Sequence, residues 1–454
     1  LEDNLEYRNS QRRKKFALTK LVSACALACA CSQVVAGGFS LYGEANGRNA
    51  GDFAAGAAAE AADASTLYYN PAGLVELDGE QIVIAGTLVH AKAKLDNNGT
   101  LVYTPAPFPA STLSLANLRS SSTEAIPALF YAKSIEHKIA WGVGVFVPFG
   151  LATDWGEQSN ARYSATRSAL QIIDVSPAFA AKLNDQWNIG AGLDMQFAKV
   201  DINSVGGIPT PFGSALDSTS VNHGSSIGVG AHIGLLYKMN TKTKFGLNYQ
   251  SGVVHEFEGY SQLTGRLADP LLANPNFTSR FNGLRSDPTQ MPDQVTFSGT
   301  HRYNSKVTLM GTAAYVRWSV IPSITMRNVV STGGALVNVT LPENFRNTFR
   351  VAGGVKYDYS QKVQLRMGLG YDQSPVNNTD RNLRLPDDDR IALAIGGHYQ
   401  ATQNVGIDVG WTHLFIKDTN INGTTTAGTS TSNVVAGVKS SADLFGAQLT
   451  WKLS

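Results

Sequence analysis

The sequence predicts an all-β membrane protein, a 14-stranded antiparallel transmembrane β-barrel with an N-terminal hatch (plug). Three observations point there. Long runs alternate apolar and polar residues, connections are short and long by turns, and no apolar stretch beyond the N-terminal region is long enough for a membrane helix.

Composition narrows the class. Charged residues make up 16% of the 454, against about 25% in ordinary soluble proteins. Glycine is plentiful at 44 residues, and hydrophobic content is 43%. A formal net charge of +2 gives no whole-chain attraction for nucleic acid.

At the N-terminus Arg12, Arg13, Lys14 and Lys15 precede a short apolar run over residues 21–30, and Val34-Val35-Ala36 supplies small residues after it. Basic, apolar, small is the order of a secretory signal. Residues 1–36 are therefore expected to be a signal peptide with an upstream extension, cleaved after Ala36. Leu1 is not a methionine, which suggests a displaced start. All three cysteines, Cys25, Cys29 and Cys31, lie inside this segment. The mature chain then has no disulfide, thiol nucleophile or cysteine metal site.

The alternation is plainest late in the chain. Val405, Ile407, Val409 and Trp411 interleave with Asn404, Gly406, Asp408 and Gly410. Val363, Leu365, Met367, Leu369 and Tyr371 interleave with Gln364, Arg366, Gly368, Gly370 and Asp372. Similar runs start at Trp187 and Phe445. Period two marks a strand with one apolar and one polar face. Runs of about ten residues suit a tilted strand crossing a bilayer, whereas soluble strands average about five or six. Trp187, Tyr249, Tyr371, Tyr399, Trp411 and Trp451 recur near run ends, as interface girdles require.

Short turns are expected at residues 136–138, 184–186, 240–242, 304–305, 360–361 and 402–403. Long polar stretches lie at about 94–125, 149–169, 203–223, 259–290, 324–345, 374–388 and 418–436. Six short turns and seven long loops imply fourteen strands within residues 79–454, with both barrel ends on the short-turn side. Residues 37–78 break the pattern. The segment from Gly51 to Glu60 is small and Ala-rich, favouring short helical turns packed closely in the lumen. It reads as a hatch.

Five segments carry a resemblance: Gly37-Gly38-Phe39; Tyr69-Asn70-Pro71-Ala72-Gly73-Leu74; the stretch from Pro148, Phe149 and Gly150 to Trp155; Asp372-Gln373-Ser374-Pro375-Val376; and Leu385-Pro386-Asp387-Asp388-Asp389-Arg390. In this order the chain resembles the outer-membrane long-chain fatty acid transport protein family, which includes uptake channels for aromatic hydrocarbons. The resemblance implies a hatch-blocked barrel that captures ligand among outer loops, holds it in a lumenal pocket and releases it sideways at an inward kink in the third strand. Pro148 and Gly150 suit such a break, since proline lacks a ladder amide. The bland alternative is that residues 147–150 simply end the strand. Asn70, Pro71 and Ala72 are expected beside the kink as part of its gate, or else form an ordinary turn out of the hatch.

Phe39, Asp372, Arg390, Ile202 and Leu341 are the expected lumenal or ligand-facing positions. Alternation places Asp372 and Arg390 inward on adjacent strands, where they either pair structurally or meet a polar ligand head. Ile202 and Leu341 stand where fatty-acid members of the family carry cations. That favours a neutral ligand unless Arg346 or Arg350 substitutes. His413 shares the outward parity of Trp411 and is expected at the lipid interface.

The implied function is passive uptake of long-chain fatty acids across the bacterial outer membrane. The alternatives are uptake of neutral aromatic or aliphatic hydrocarbons, or a general porin. None of the eight histidines sits in a recognisable active-site motif, so an enzyme is not expected, nor is any cofactor or metal. Expected partners are a hydrophobic small molecule, outer-membrane lipid and the barrel-assembly machinery, with no nucleic acid and a monomeric chain. The terminal Trp451-Lys452-Leu453-Ser454 lacks the usual final aromatic but keeps the alternation.

Overall fold

The computed structural model describes residues 40–453. The expected signal peptide (residues 1–36) and Phe39 lie outside the described residues. Fourteen antiparallel strands form the wall: β1 Glu80–Leu95, β2 Arg119–Ile135, β3 Ile139–Asp154, β4 Arg167–Lys182, β5 Trp187–Ile202, β6 Ser218–Lys238, β7 Thr243–Gln250, β8 Gln294–Arg302, β9 Val307–Val316, β10 Thr348–Asp358, β11 Val363–Asp372, β12 Arg390–Gln400, β13 Val405–Ile416 and β14 Ser430–Lys452. Each pairs with its sequence neighbour, and β14 returns to β1 with Gln81 opposite Lys452 and Leu95 opposite Val438. The ring is closed. Closure matters because lipid offers no hydrogen bonds to an exposed sheet edge.

The apolar half of each alternating run faces outward. Ile227 is 70% exposed, and Phe179, Leu193, Val409 and Phe445 stand out beside it. In water such a belt would forgo about 25 cal/mol for each Å² left unburied; against acyl chains it is at home. All six short turns close the hairpins at one end, and Glu80 and Lys452 lie at that same end.

At the other end the wall outruns the expected loop boundaries. β3 continues to Asp154, β2 starts at Arg119, β6 starts at Ser218, and Thr419–Ala427 pairs with the first part of β14. Thr278–Ser286 likewise pairs with Glu258–Gly265. These stretches were expected as loops because they are rich in Ser, Thr and Asn. Above the bilayer both strand faces can be wet, so the apolar alternation that betrays a strand in lipid is lost.

Residues 40–78 pack inside the ring as short turns and one-turn helices, Ala57–Glu60 and Thr66–Tyr69 among them. Their small residues meet inward glycines. A Cβ added at Gly246 would strike the Ala58 carbonyl, one at Gly190 the Pro71 backbone, and one at Gly410 the backbone at Ala50 and Gly51. Charge fixes the rest. Arg366 of β11 holds Asp52 at 2.7 Å and Glu60 at 2.8 Å, and Arg48 reaches both Asp63 and Asp408 at 3.3 Å.

Candidate functional site

The β2–β3 ladder runs from Ile135 opposite Ile139 up to Leu129 opposite Val145, and stops there. Against β4 the register then slips. Phe146 faces Asp174 but Phe149 faces Ile172, so Val147 and Pro148 share Ile173. This is a β-bulge, and a bulge re-aims the strand carrying it. Alternation collapses with it: Phe146, Val147, Pro148, Phe149 and Gly150 are all buried. The strand has turned inward rather than ended.

Its freed edge finds other partners. Ser40 bridges to Phe149, and the Leu41 amide donates to the Pro148 carbonyl at 2.9 Å. Tyr68 of the hatch packs on Phe146 at 4.6 Å between ring centres, and Phe130 of β2 stacks on the same ring at 5.7 Å. Only at the top do the strands meet again, where the Asp154 amide donates to Ser120 Oγ at 3.2 Å. Between residues 146 and 153 the β2–β3 seam has no ladder.

Asn70, Pro71 and Ala72 sit elsewhere. Asn70 Nδ2 donates to the Ala58 carbonyl at 2.7 Å and to Leu235 of β6 at 2.9 Å, and its Oδ1 accepts from the Ala72 amide at 3.1 Å. Pro71 lies on Gly190 of β5 and Gly234 of β6. The expected contact of this turn with the kink is corrected: Ser40, Leu41 and Tyr68 touch the bulge. Proline and asparagine signalled a tight turn, but not which wall it would meet.

Two cavities lie above the hatch. The outer one, about 390 Å³, opens among the long loops between Tyr103, Phe108, Tyr163, Phe212 and Val330. The inner one is narrower, about 100 Å³, and is walled by Leu151, Leu170, Val200, Phe257, Trp318 and Phe345. They share Ile202, Asn222, Met326, Leu341 and Arg384, so the two adjoin at these side chains. Phe149 closes the inner end. The path formed by these two adjoining, largely apolar cavities extends from the outer loops to Phe149 at the bulge.

Ile202 and Leu341 meet in one buried cluster at the junction of the cavities. Asp372 and Arg390 are cross-strand partners 3.5 Å apart, and Arg390 also holds Asp387 at 3.0 Å. They border a small separate space with Ser40, Tyr42 and Arg350 and do not line the apolar path. Neither Arg346 nor Arg350 serves that path. Arg346 pairs with Asp389 at 2.5 Å, and Arg350 lies over the Phe53 ring at 3.9 Å. His413 keeps its outward parity and bonds Asp443 at 2.8 Å.

Sequence reasoning missed Arg384. It belongs to the 373–389 connection, which folds over the upper end of β3: Trp155 Nε1 donates to the Leu383 carbonyl at 2.7 Å, and Thr153 Oγ1 to the Arg384 carbonyl at 2.9 Å. The guanidinium donates to Ser168 Oγ at 2.8 Å and to the carbonyls of Asn203 and Ser164 at 3.0 and 2.9 Å. All three acceptors are neutral. Burial pushes the guanidinium down to about 10, with Glu343 pulling the other way, so it is cationic at neutral pH. Burial pushes the facing Glu343 carboxyl up to about 8 against the pull of Arg384, with Asp380 adding to the rise. At pH 7 the path therefore carries a cation that Glu343 does not neutralise. The only linear signal was an arginine next to Leu385-Pro386.

Residues 27–453 match the family described as Outer membrane protein transport protein (OMPP1/FadL/TodX). The chain belongs to this family. It is a family of outer-membrane transporters, not enzymes, and the closed barrel places this member in the bacterial outer membrane. The long-chain fatty acid transport protein of Escherichia coli O6:H1 is 26% identical over 424 residues, 88% of this chain and 92% of that one. The fold matches a Pseudomonas aeruginosa FadL homologue with a TM-score of 0.79 at 21% identity, over 92% of this chain and all of that one. It also matches the Ralstonia pickettii toluene transporter TbuX, with a TM-score of 0.60 at 19% identity, over 91% and 99% of the two chains.

Proposed function

We propose that this member of the family takes up long-chain fatty acids passively, capturing them in the outer cavity and releasing them sideways between β2 and β3. The observation that carries the reading is Arg384, a partly buried cation at the junction of two apolar cavities. An acyl chain entering the inner cavity leaves its carboxylate at that junction, where a charge-assisted hydrogen bond to a guanidinium is worth about 1.5–3 kcal/mol. The chain then lies along Phe345, Trp318 and Phe149, towards the unpaired seam. Transfer of apolar surface from water at about 25 cal/mol per Å² drives capture without an energy source. The hatch packing argues against an open porin.

A second reading, uptake of neutral hydrocarbons, is favoured by Ile202 and Leu341, apolar side chains at the same junction. A titration separates the two. Palmitate and a neutral hydrocarbon of similar length are each titrated into the native protein and Arg384→Gln in detergent. The fatty-acid reading expects palmitate to bind roughly 10- to 100-fold more weakly to the variant, with the hydrocarbon unchanged. Equal palmitate affinity for both proteins would remove Arg384 as the carboxylate partner. Tight hydrocarbon binding with no palmitate binding would establish the second reading.

A further inference from the structure

The outer wall of β14, β1 and β2 carries a feature that the passage does not use. Buried Val89 and Leu95 fix the odd residues of β1 inward, so His90, Lys92 and Lys94 point outward. Lys94 stands opposite Lys439 of β14 on one side and Arg119 of β2 on the other. Three cations thus occupy one row across three strands, with Lys92 two residues below. Like charges directly opposite in a sheet repel. In this group Lys439 has an ion-pair partner, Asp418 at 3.2 Å. Two further carboxylates lie close by: Asp96, two residues above Lys94 and over Gly437, and Asp443, which is engaged by His413 at 2.8 Å and Trp411 at 3.2 Å and also feels Lys92.

Depth locates the row. Trp411, Phe445 and Leu88 share one outward level, and His413, Asp443, His90 and Thr123 form the next. Lys92 with Ser121 and Ser441 is the level above, and Lys94 with Arg119 and Lys439 the last. Each level rises about 7 Å along the strand. Tryptophan marks the membrane–water interface, so the cations stand at and above the headgroups of the outer leaflet, over an apolar wall.

We propose that Lys92, Lys94 and Arg119, flanked by Lys439, bind the phosphates of an outer-leaflet lipid whose acyl chains run down the apolar wall past Leu88 and Phe445. The four cations outnumber the carboxylates beside them, Asp96, Asp418 and Asp443, and a phosphorylated lipid adds the missing negative charge, with a headgroup bearing two phosphates spanning neighbouring strands. The site adjoins β2, the strand that borders the unpaired seam, so a bound lipid stands next to that seam.

The test uses the full-length protein in neutral detergent and the triple variant Lys92→Gln/Lys94→Gln/Arg119→Gln. Diphosphorylated lipid A, the same glycolipid with its phosphates removed, and inorganic phosphate are titrated separately and followed by native mass spectrometry. The native protein should hold diphosphorylated lipid A about tenfold or more tightly than the variant does, with affinity falling as NaCl rises. Unchanged palmitate affinity and unchanged heat-modifiable migration on gels show that the variant barrel is intact; if it is not, Lys94→Gln alone is expected to give a smaller loss in the same direction. Equal retention of diphosphorylated lipid A by native and altered row, or equal binding of the dephosphorylated glycolipid, overturns the proposal. So does inorganic phosphate displacing the lipid at equal concentration, since the row would then be a site for free anions.

Discussion

The β2–β3 seam and the β11–β12 seam are built on opposite principles. From Val363 opposite Tyr399 to Asp372 opposite Arg390, β11 and β12 pair without interruption. That side is ionic: Arg366 grips Asp52 and Glu60 of the hatch, and the seam ends in the Asp372–Arg390 pair. The β2–β3 seam gives up its ladder after Val145, lines itself with aromatic rings, and leaves its edge to Ser40 and Leu41. A barrel in lipid must satisfy its backbone everywhere, so a gap persists only where something inside substitutes. The difference teaches a division of labour. One side anchors the hatch, and the other is left unzipped beside the apolar path.

The largest expected effect comes from erasing the difference. Deleting Val147 removes the extra residue of the bulge and lets β3 regain register with β4. Fatty-acid uptake by cells should fall roughly tenfold or more, because a straightened strand can resume its ladder with β2. Palmitate binding in detergent should persist. Full uptake by a correctly inserted deletion variant would sink the lateral route.

Breaking the ionic side should act differently. Arg366→Gln leaves two buried carboxylates without their main partner, a change that costs about 3–5 kcal/mol in comparable buried pairs. Thermal unfolding should drop markedly and ion conductance should rise as the hatch loosens, while palmitate affinity stays near native. A variant with native stability would show that the hatch is held by packing alone.

The smallest effect is a titration. Below about pH 8 Glu343 is protonated and Arg384 leaves a net positive charge; above it Glu343 ionises and cancels that charge. Palmitate is itself ionised across this range in water. Its affinity should therefore fall by about threefold to tenfold between pH 6.5 and 9, and Glu343→Gln should flatten the profile. A profile identical in both proteins would separate Glu343 from the ligand.

How much of this was legible in the linear chain varied with the solvent each segment meets. Where strands cross lipid, the medium demands an apolar residue at every second position, and runs such as Val363–Tyr371 announce themselves. Where strands rise into water that demand lapses, and Ser218–Asn222 and Thr419–Ala427 read as loops although they are wall. Asn70-Pro71-Ala72 was recognisable as a turn, yet its neighbours on β5 and β6 lie more than a hundred residues away in sequence.

By itself the sequence determined the barrel, its strand number and the parity of each side chain, because alternation and turn length are local properties imposed by the bilayer. Tertiary structure alone decided that Val147 and Pro148 form a bulge and that the hatch supplies the missing edge contacts. It also decided that Arg384 ends at the cavity junction beside Ile202 and Leu341. These depend on register and on loop folding, which bring distant residues together and leave no periodic trace in any one segment.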